Sequence, residues 1–304
     1  MHIFNAEQTT QLLPFTRLVP AIAQAAQDYA SGNIAAPERL VVPIEERGVL
    51  LAMPAIAQDI GVTKLITVHG DNARHRLPAI QGEVIVFDSK TGRRHALLDG
   101  PTVTARRTAA VTLLGIQLLA PAAPLSALLI GTGVQAAAHA DALIEFFGVT
   151  RLFVTSRNEH HARAFCDALR VRHPQASASP INVADLPARC QEVDVVIALT
   201  TSTIPVIPAQ LPPATMAIGV GAFKPEMAEL PAGLLHARGV VVDHLAGARH
   251  EAGDLLQANI DWSKVRDLAS VVRSGITEKS PVPVLKTVGH AAWDLAAARV
   301  ATGA

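Results

Sequence analysis

The first chemistry legible in this chain lies where an apolar run, Leu125–Ile130, breaks at Gly131-Thr132-Gly133-Val134-Gln135-Ala136 and opens into a helical pattern. Gly131 permits a tight turn, Gly133 lets backbone approach a diphosphate, and the small Ala136 lets helix lie close on strand. Free N–H groups and the positive dipole end at about Val134–Ala136 would hold the diphosphate. The next strand candidate ends Val154-Thr155-Ser156-Arg157-Asn158, with no acid before Glu159. An Asp or Glu at that strand end binds the ribose 2′-hydroxyl of NAD and would repel a 2′-phosphate. Arg157 can instead pair with the phosphate and stack on adenine, while Ser156 and Asn158 donate further hydrogen bonds. These residues favour NADP(H) as cofactor.

Such a site needs a sheet to carry it. Apolar runs recur at Leu125–Ile130, Leu152–Thr155, Val193–Leu199, Thr215–Val220 and Val240–Asp243, with a weaker one near Ser179–Val183. Helical stretches, among them Gln135–Phe147 and Glu159–Arg172, separate most of them. Alternation of this kind implies an α/β fold, a Rossmann doubly wound parallel sheet. The first third reads differently, as an α+β unit. It has a helix over Thr16–Ser31, a hairpin of Arg39–Ile44 and Val49–Met53 turning through Glu45–Gly48, and a strand over Lys64–Val68. A second hairpin joins Gly82–Asp88 to Arg93–Leu98 through Ser89–Gly92. Thr104 is then placed to N-cap a helix over Ala105–Leu119. After Asn259 the pattern is less regular, and the last helix, Ala291–Val300, is expected to return to the first domain. The expected division is 1–118 with 286–304 as one domain and 119–285 as the dinucleotide-binding one.

Composition narrows the function classes. Half of the 304 residues are apolar and 17% charged, and 26 basic residues balance 26 acidic ones. No net field draws in nucleic acid or an anionic membrane. Thr108–Ala138 carries no Asp, Glu, Lys or Arg, but Pro121, Pro124 and the Gly131/Gly133 turn cut it into a helix, a loop and a strand, each too short to span a bilayer. The opening residues have no basic and apolar leader. Cys166 and Cys190 stand alone, which suits a reducing, cytoplasmic setting. His244, His250, Glu251 and Asp254 crowd one stretch without metal-ligand spacing, and no metal is expected. His160-His161 reads as a solvated helix start.

Several motifs, taken together, resemble the ornithine cyclodeaminase / mu-crystallin family from roughly Arg39 to the C-terminus. They are Thr104-Ala-Arg-Arg107-Thr-Ala-Ala110, the Gly131 fingerprint, Gly219-Val-Gly-Ala222 with Glu229-Leu230, Glu251-Ala-Gly-Asp254, and Thr287-Val-Gly289 with Asp294. The resemblance implies a homodimer, with an N-terminal substrate and dimerisation domain beside a Rossmann domain. It implies a substrate carboxylate held by Arg39, Lys64 and Arg107, and a nicotinamide near Thr200, Thr201 and Gly289. The residues support part of this on their own. Arg107 falls in the first turn of the expected helix, where guanidinium and dipole would both favour a carboxylate. Lys64 opens an apolar strand where a surface role would be odd. Arg106, about 100° round the helix, is expected at the surface or an interface.

The sequence departs from the family's lyases where proton transfer is needed. Leu51, before Met53-Pro54, and Phe223, in Ala222-Phe-Lys-Pro225, stand where the resemblance places a Glu and an Asp. Neither can act as acid or base. The segment Gly221–Leu230 is instead similar to the family's reductases of cyclic ketimine acids. A protonated imine is already electrophilic, so positioning is the main demand. Leu51 and Phe223 would wall an aliphatic ring, and Lys64 would relay a proton or only clamp charge. The expected reaction is NADPH-dependent reduction of Δ1-pyrroline-2-carboxylate or Δ1-piperideine-2-carboxylate to proline or pipecolate. Ornithine cyclodeamination, amino-acid dehydrogenation and a non-catalytic NADPH- or hormone-binding role are the alternatives.

Overall fold

The computed structural model describes residues 1–44, 48–277 and 280–304. The chain forms two units, Met1–Ala110 with His290–Ala304, and Val111–Gly289. The units meet in sequence at 110/111 and 289/290, where the sequence reading places 118/119 and 285/286.

The first unit contains β1 (His2–Phe4), α1 (Ala6–Leu12), α2 (Phe15–Ala30), β2 (Leu40–Ile44), β3 (Gly48–Ile56), β4 (Ile60–His69), β5 (Ile80–Asp88), β6 (Arg94–Asp99), the start of α3 (Gly100–Leu119) and the C-terminal α11 (Ala291–Thr302). Its sheet runs β1-β6-β5-β4-β3-β2. All pairs are antiparallel except β1 with β6. The turn expected at Glu45–Gly48 lies outside the described residues up to Gly48, but its strands pair as a hairpin, Ile44 opposite Gly48. Strand alternation drives Val62, Lys64 and Ile66 of β4 to the buried face, while Leu65 points outward. Helix α2 buries Phe15, Leu18, Val19, Ile22, Ala25 and Ala26 along one face. Helix α11 packs against α2, β3 and β4. It is anchored by Arg299, which donates to both oxygens of Asp59 (2.7 and 2.9 Å) and to Asp28 (2.8 Å).

Helix α3 corrects one expectation. It begins at Gly100, with the Asp99 carboxylate accepting from Thr102 N at 2.8 Å, so Asp99 rather than Thr104 caps it. Arg107 therefore lies in the third turn, and the dipole argument for it falls away. Arg106, expected at the surface or an interface, packs inside the first unit. It is buried, its Nε donates to Leu13 O at 2.7 Å, and its guanidinium covers the Phe15 ring at 4.0 Å.

The second unit continues with β7 (Ser126–Ile130), α4 (Val134–Phe147), β8 (Arg151–Thr155), α5 (Glu159–Arg172), β9 (Ser177–Pro180), α6 (Leu186–Arg189), β10 (Val195–Ala198), β11 (Met216–Gly219), α7 (Ala232–Ala237), β12 (Val240–Val242), α8 (Leu245–Glu251), α9 (Gly253–Gln257), β13 (Arg266–Asp267), α10 (Leu268–Ser274) and β14 (Val284–Lys286). Every described pair in its sheet is parallel, in the order β13-β12-β14-β11-β10-β7-β8-β9. From β7 the chain winds outward through β8 and β9, then returns to β10 on the other side. That reversal between β7 and β10 is the switch point at which doubly wound sheets bind ligands. The weak run expected at Ser179–Val183 forms β9 slightly earlier. The last strand, β14, enters between β11 and β12; it and the two-residue β13 are too short to register as apolar runs.

Candidate functional site

In the first unit, two cations and a carboxylate meet out of solvent. Asp294, in the first turn of α11, accepts from Lys64 Nζ at 3.1 Å and from Arg107 Nε at 3.0 Å on one oxygen; its other oxygen lies 2.9 Å from Lys64 Nζ. Side-chain exposure is 1% for Lys64 and 0% for Asp294. Lys64 lies within β4 rather than at its start, opposite Met53 and Val84. An isolated ammonium there would be prohibitive, and Asp294 is what makes its burial tolerable. Burial, aided by the charges of Arg107 and Arg39 and opposed by Asp294, lowers the Lys64 ammonium to about 8. Arg39 precedes β2 and is half-buried. Leu51 of β3 is half-buried opposite Ile66, on the same sheet face as Lys64. The cluster carries an excess of positive charge in a water-poor setting, which suits a small carboxylate.

The second unit presents the phosphate cradle. Gly131 follows β7 at φ +122°, and a Cβ there would stand 2.6 Å from Leu199 O, so only glycine fits. Gly133 is the N-cap of α4, and no side chain caps the helix. Its Cβ position is open, so the absent side chain serves approach by something outside the protein. Thr132 and Gln135 are half-buried, Val134 is exposed and Ala136 is buried. Free helical N–H groups over an open glycine fit a dinucleotide diphosphate.

At the end of β8, Arg157 is exposed. Ser156 Oγ donates to Asn158 O at 2.6 Å, and Asn158 Oδ1 accepts from His160 N at 3.0 Å as N-cap of α5. Their expected role as free donors to a phosphate is thus reduced to the Asn158 amide nitrogen. Thr200 and Thr201 follow β10, the first held by Glu229 and the second exposed. Gly289 N and Val288 N each donate to Asp243 at 2.9 Å. Phe223 is half-buried after β11. His244 caps α8 by accepting from Gly247 N, and Asp254 accepts from Leu230 N at 2.7 Å.

In the sequence Asp294 and Glu229 stand out only as parts of motifs, without roles, whereas Asp254, with Glu251, is expected to cap or orient a loop near the cofactor. Lys286 and Asp243 had not stood out. The missed signal for Lys286 is a charge closing a short apolar run, Val284-Leu285-Lys286.

Fold and site together define a two-unit protein: one unit is a doubly wound dinucleotide-binding fold, and the other holds a buried cluster of two cations and a carboxylate. The chain belongs to the ornithine cyclodeaminase/mu-crystallin family, whose model matches residues 2–302. It is 46% identical over 302 residues to the Δ1-pyrroline-2-carboxylate/Δ1-piperideine-2-carboxylate reductase of Azospirillum brasilense, covering 99% of this chain and 95% of that one. It is 30% identical over 293 residues to the ketimine reductase mu-crystallin of Rattus norvegicus, covering 93% and 90%. Among solved structures, the Thermococcus litoralis Δ1-pyrroline-2-carboxylate reductase has the same fold, with TM-score 0.91, 23% identity and coverage of 100% and 97%. An archaeal alanine dehydrogenase dimer with bound NAD aligns at TM-score 0.88 and 25% identity, covering 100% and 95%. Among the described residues no helix is long and apolar enough to cross a membrane.

Proposed function

We propose that this chain is an NADPH-dependent oxidoreductase that reduces Δ1-pyrroline-2-carboxylate or Δ1-piperideine-2-carboxylate to proline or pipecolate. The observation that carries the reading is the buried Lys64–Asp294–Arg107 cluster, set beside an apolar Leu51 where a lyase acid would stand. The 46% identity to a reductase of these two acids supports it.

Reducing a C=N bond to an amine consumes one hydride and one proton. A nicotinamide, when bound, would supply the hydride. Arg107 and Arg39 receive the substrate carboxylate, with Arg107 held in place through its Nε by Asp294. Lys64 Nζ holds a proton below about pH 8 and delivers it to the ring nitrogen as the amine forms. Leu51, on the sheet face that carries Lys64, offers the aliphatic ring an apolar wall. Gly131–Ala136 would cradle the diphosphate, Thr200, Thr201 and Gly289 would adjoin the nicotinamide, and Arg157 with the Asn158 amide nitrogen would favour the 2′-phosphate of NADPH over NADH.

A homodimer is part of the proposal. The related alanine dehydrogenase is a dimer, and β2, an edge strand, exposes Leu40, Val41 and Val42, an apolar edge of the kind that calls for a cover. Two free, buried cysteines agree with a cytoplasmic setting.

The deciding assay follows NADPH oxidation by purified protein on each imine, and on pyruvate with ammonia. Turnover on an imine without ammonia is expected. Folded protein that oxidises no NADPH on either imine overturns the proposal, and turnover only with pyruvate and ammonia makes it an amino-acid dehydrogenase. A lower KM for NADH than for NADPH overturns the cofactor preference alone.

A further inference from the structure

Glu229 takes no part in the chemistry proposed above, yet it is fully buried and its carboxylate is saturated. One oxygen accepts from Thr200 N at 2.6 Å and Thr200 Oγ1 at 2.9 Å; the other accepts from Gly221 N at 2.7 Å and Ala222 N at 3.1 Å. A single side chain thus ties together the segments leaving β10 and β11, two adjacent strands at the ligand-binding edge of the sheet. Its backbone is fixed in turn. Glu229 N and Leu230 N both donate to Asp254 Oδ1, and Asp254 pairs at 2.9 Å with Lys286, the last residue of β14. Val206 N and Ile207 N donate to Glu229 O at 2.9 and 3.0 Å, and Ala228 N to Ser202 O at 2.9 Å. The segment from Thr200 to Ile207 is therefore laced to Gly221–Leu230. Gly221 completes the fit, since a Cβ there would stand 2.0 Å from Thr200 O and 2.5 Å from Thr200 N.

We infer that Glu229 is a positioning residue for hydride transfer, fixing the Thr200 loop that meets the nicotinamide, with Asp254 and Lys286 as its support. The inference rests on the dinucleotide reading of this sheet edge. Four donors converge on two oxygens, so only a carboxylate satisfies them. In Glu229→Gln one end of the amide still accepts, while the other turns N–H groups toward the N–H groups of Gly221 and Ala222. Shape is kept and the acceptor pattern is lost.

The test compares wild type, Glu229→Gln and Gly221→Ala. The measurements are steady-state kinetics with NADPH and C4-deuterated NADPH, nicotinamide fluorescence on binding, and thermal melting. A displaced nicotinamide is expected to cost roughly a hundredfold in kcat and to raise the primary isotope effect. The fluorescence change on binding should be lost, while KM for the imino acid moves less than about threefold. A lowered melting temperature with normal kinetics in the folded enzyme would mean a structural role only. Gly221→Ala keeps Glu229 and crowds Thr200 directly, so it reads the same loop if Glu229→Gln does not fold. Both variants within twofold of wild-type kcat, with unchanged isotope effect, overturn the inference. A wild type that binds NADPH with the fluorescence change but reduces no imine refutes the substrate reading alone, and the fluorescence of the variants still decides this one. No dinucleotide binding by wild type overturns both.

Discussion

Asp294 and Lys64 form an ion pair at 2.9 Å in which neither side chain meets solvent. The same carboxylate holds Arg107 Nε at 3.0 Å, so one acid in the first turn of α11 holds both cations in place. Burial is the largest influence on Lys64 and lowers it to about 8; Asp294 opposes that fall. If Lys64 delivers the proton, kcat/KM of the wild type declines as pH rises through about 8. In Asp294→Asn the opposing charge is gone, so the decline moves to lower pH and activity near neutrality drops about tenfold or more. Lys64→Met removes the decline together with most of the activity. Profiles on one imine isolate the enzyme's contribution from the substrate's own titration, and coincident wild-type and Asp294→Asn profiles would sink the assignment.

Arg107 offers a separate test of the carboxylate clamp. Its Nε is committed to Asp294, which leaves the outer guanidinium nitrogens for substrate. Arg107→Ala is expected to raise KM for the imino acid about a hundredfold while NADPH binding stays near wild type. Arg107→Lys should recover little, because an ammonium cannot bond Asp294 and a carboxylate in the same fork geometry. Parallel losses of imino-acid and cofactor affinity would point to a folding defect instead.

Much of this was legible beforehand because it is local. The Gly131 turn, the long apolar strands and the lone Lys64 declare themselves within a few residues. What escaped depends on contacts far apart in the chain. Asp294 lies 230 positions from Lys64, and nothing next to it in sequence announces a buried acid. Asp99 took the cap expected of Thr104 because both are good cap residues before an apolar helix, and only packing chose between them. Arg106 reads as a surface or interface residue because helical geometry gives a direction but not what lies there; in the fold, Phe15 and the Leu13 carbonyl lie there. The types of Ser156 and Asn158 are legible in the sequence, whereas only the fold shows Ser156 Oγ donating to Asn158 O and Asn158 Oδ1 accepting from His160 N.

Arg157 tests the cofactor preference. It is exposed at the end of β8, and Glu159, the acid nearest in sequence, is held in an ion pair by Arg163. A surface-level contact to a dianionic phosphate is worth roughly one to two orders of magnitude in affinity. Arg157→Ala should therefore raise KM for NADPH about tenfold or more and leave KM for NADH nearly unchanged. The losses should shrink at high salt. Equal effects on both cofactors would mean that Arg157 serves adenine stacking or the fold rather than the 2′-phosphate.

His139 gives the second unit an acid-labile point. It is buried in α4, with Nδ1 2.7 Å from Gln135 O and Nε2 2.9 Å from Thr112 Oγ1. A carbonyl only accepts, so Nδ1 carries the hydrogen and the neutral ring accepts the Thr112 hydroxyl at Nε2. Burial lowers this histidine from 6.5 to about 4. The unfolded chain takes up a proton below 6.5 that the folded chain refuses until about 4. The stability it permits is therefore intact above 6.5 and lost as pH falls toward 4, to a total on the order of 3 kcal/mol. Gln135 belongs to the first turn of the same helix, so opening around His139 would disturb the phosphate cradle as well. Denaturant unfolding measured from about pH 7 to about pH 4 should show this loss in the wild type and a shallower one in His139→Gln, which can keep both hydrogen bonds without titrating. Parallel curves for the two proteins would show that His139 carries its proton in the fold and that the acid sensitivity lies elsewhere.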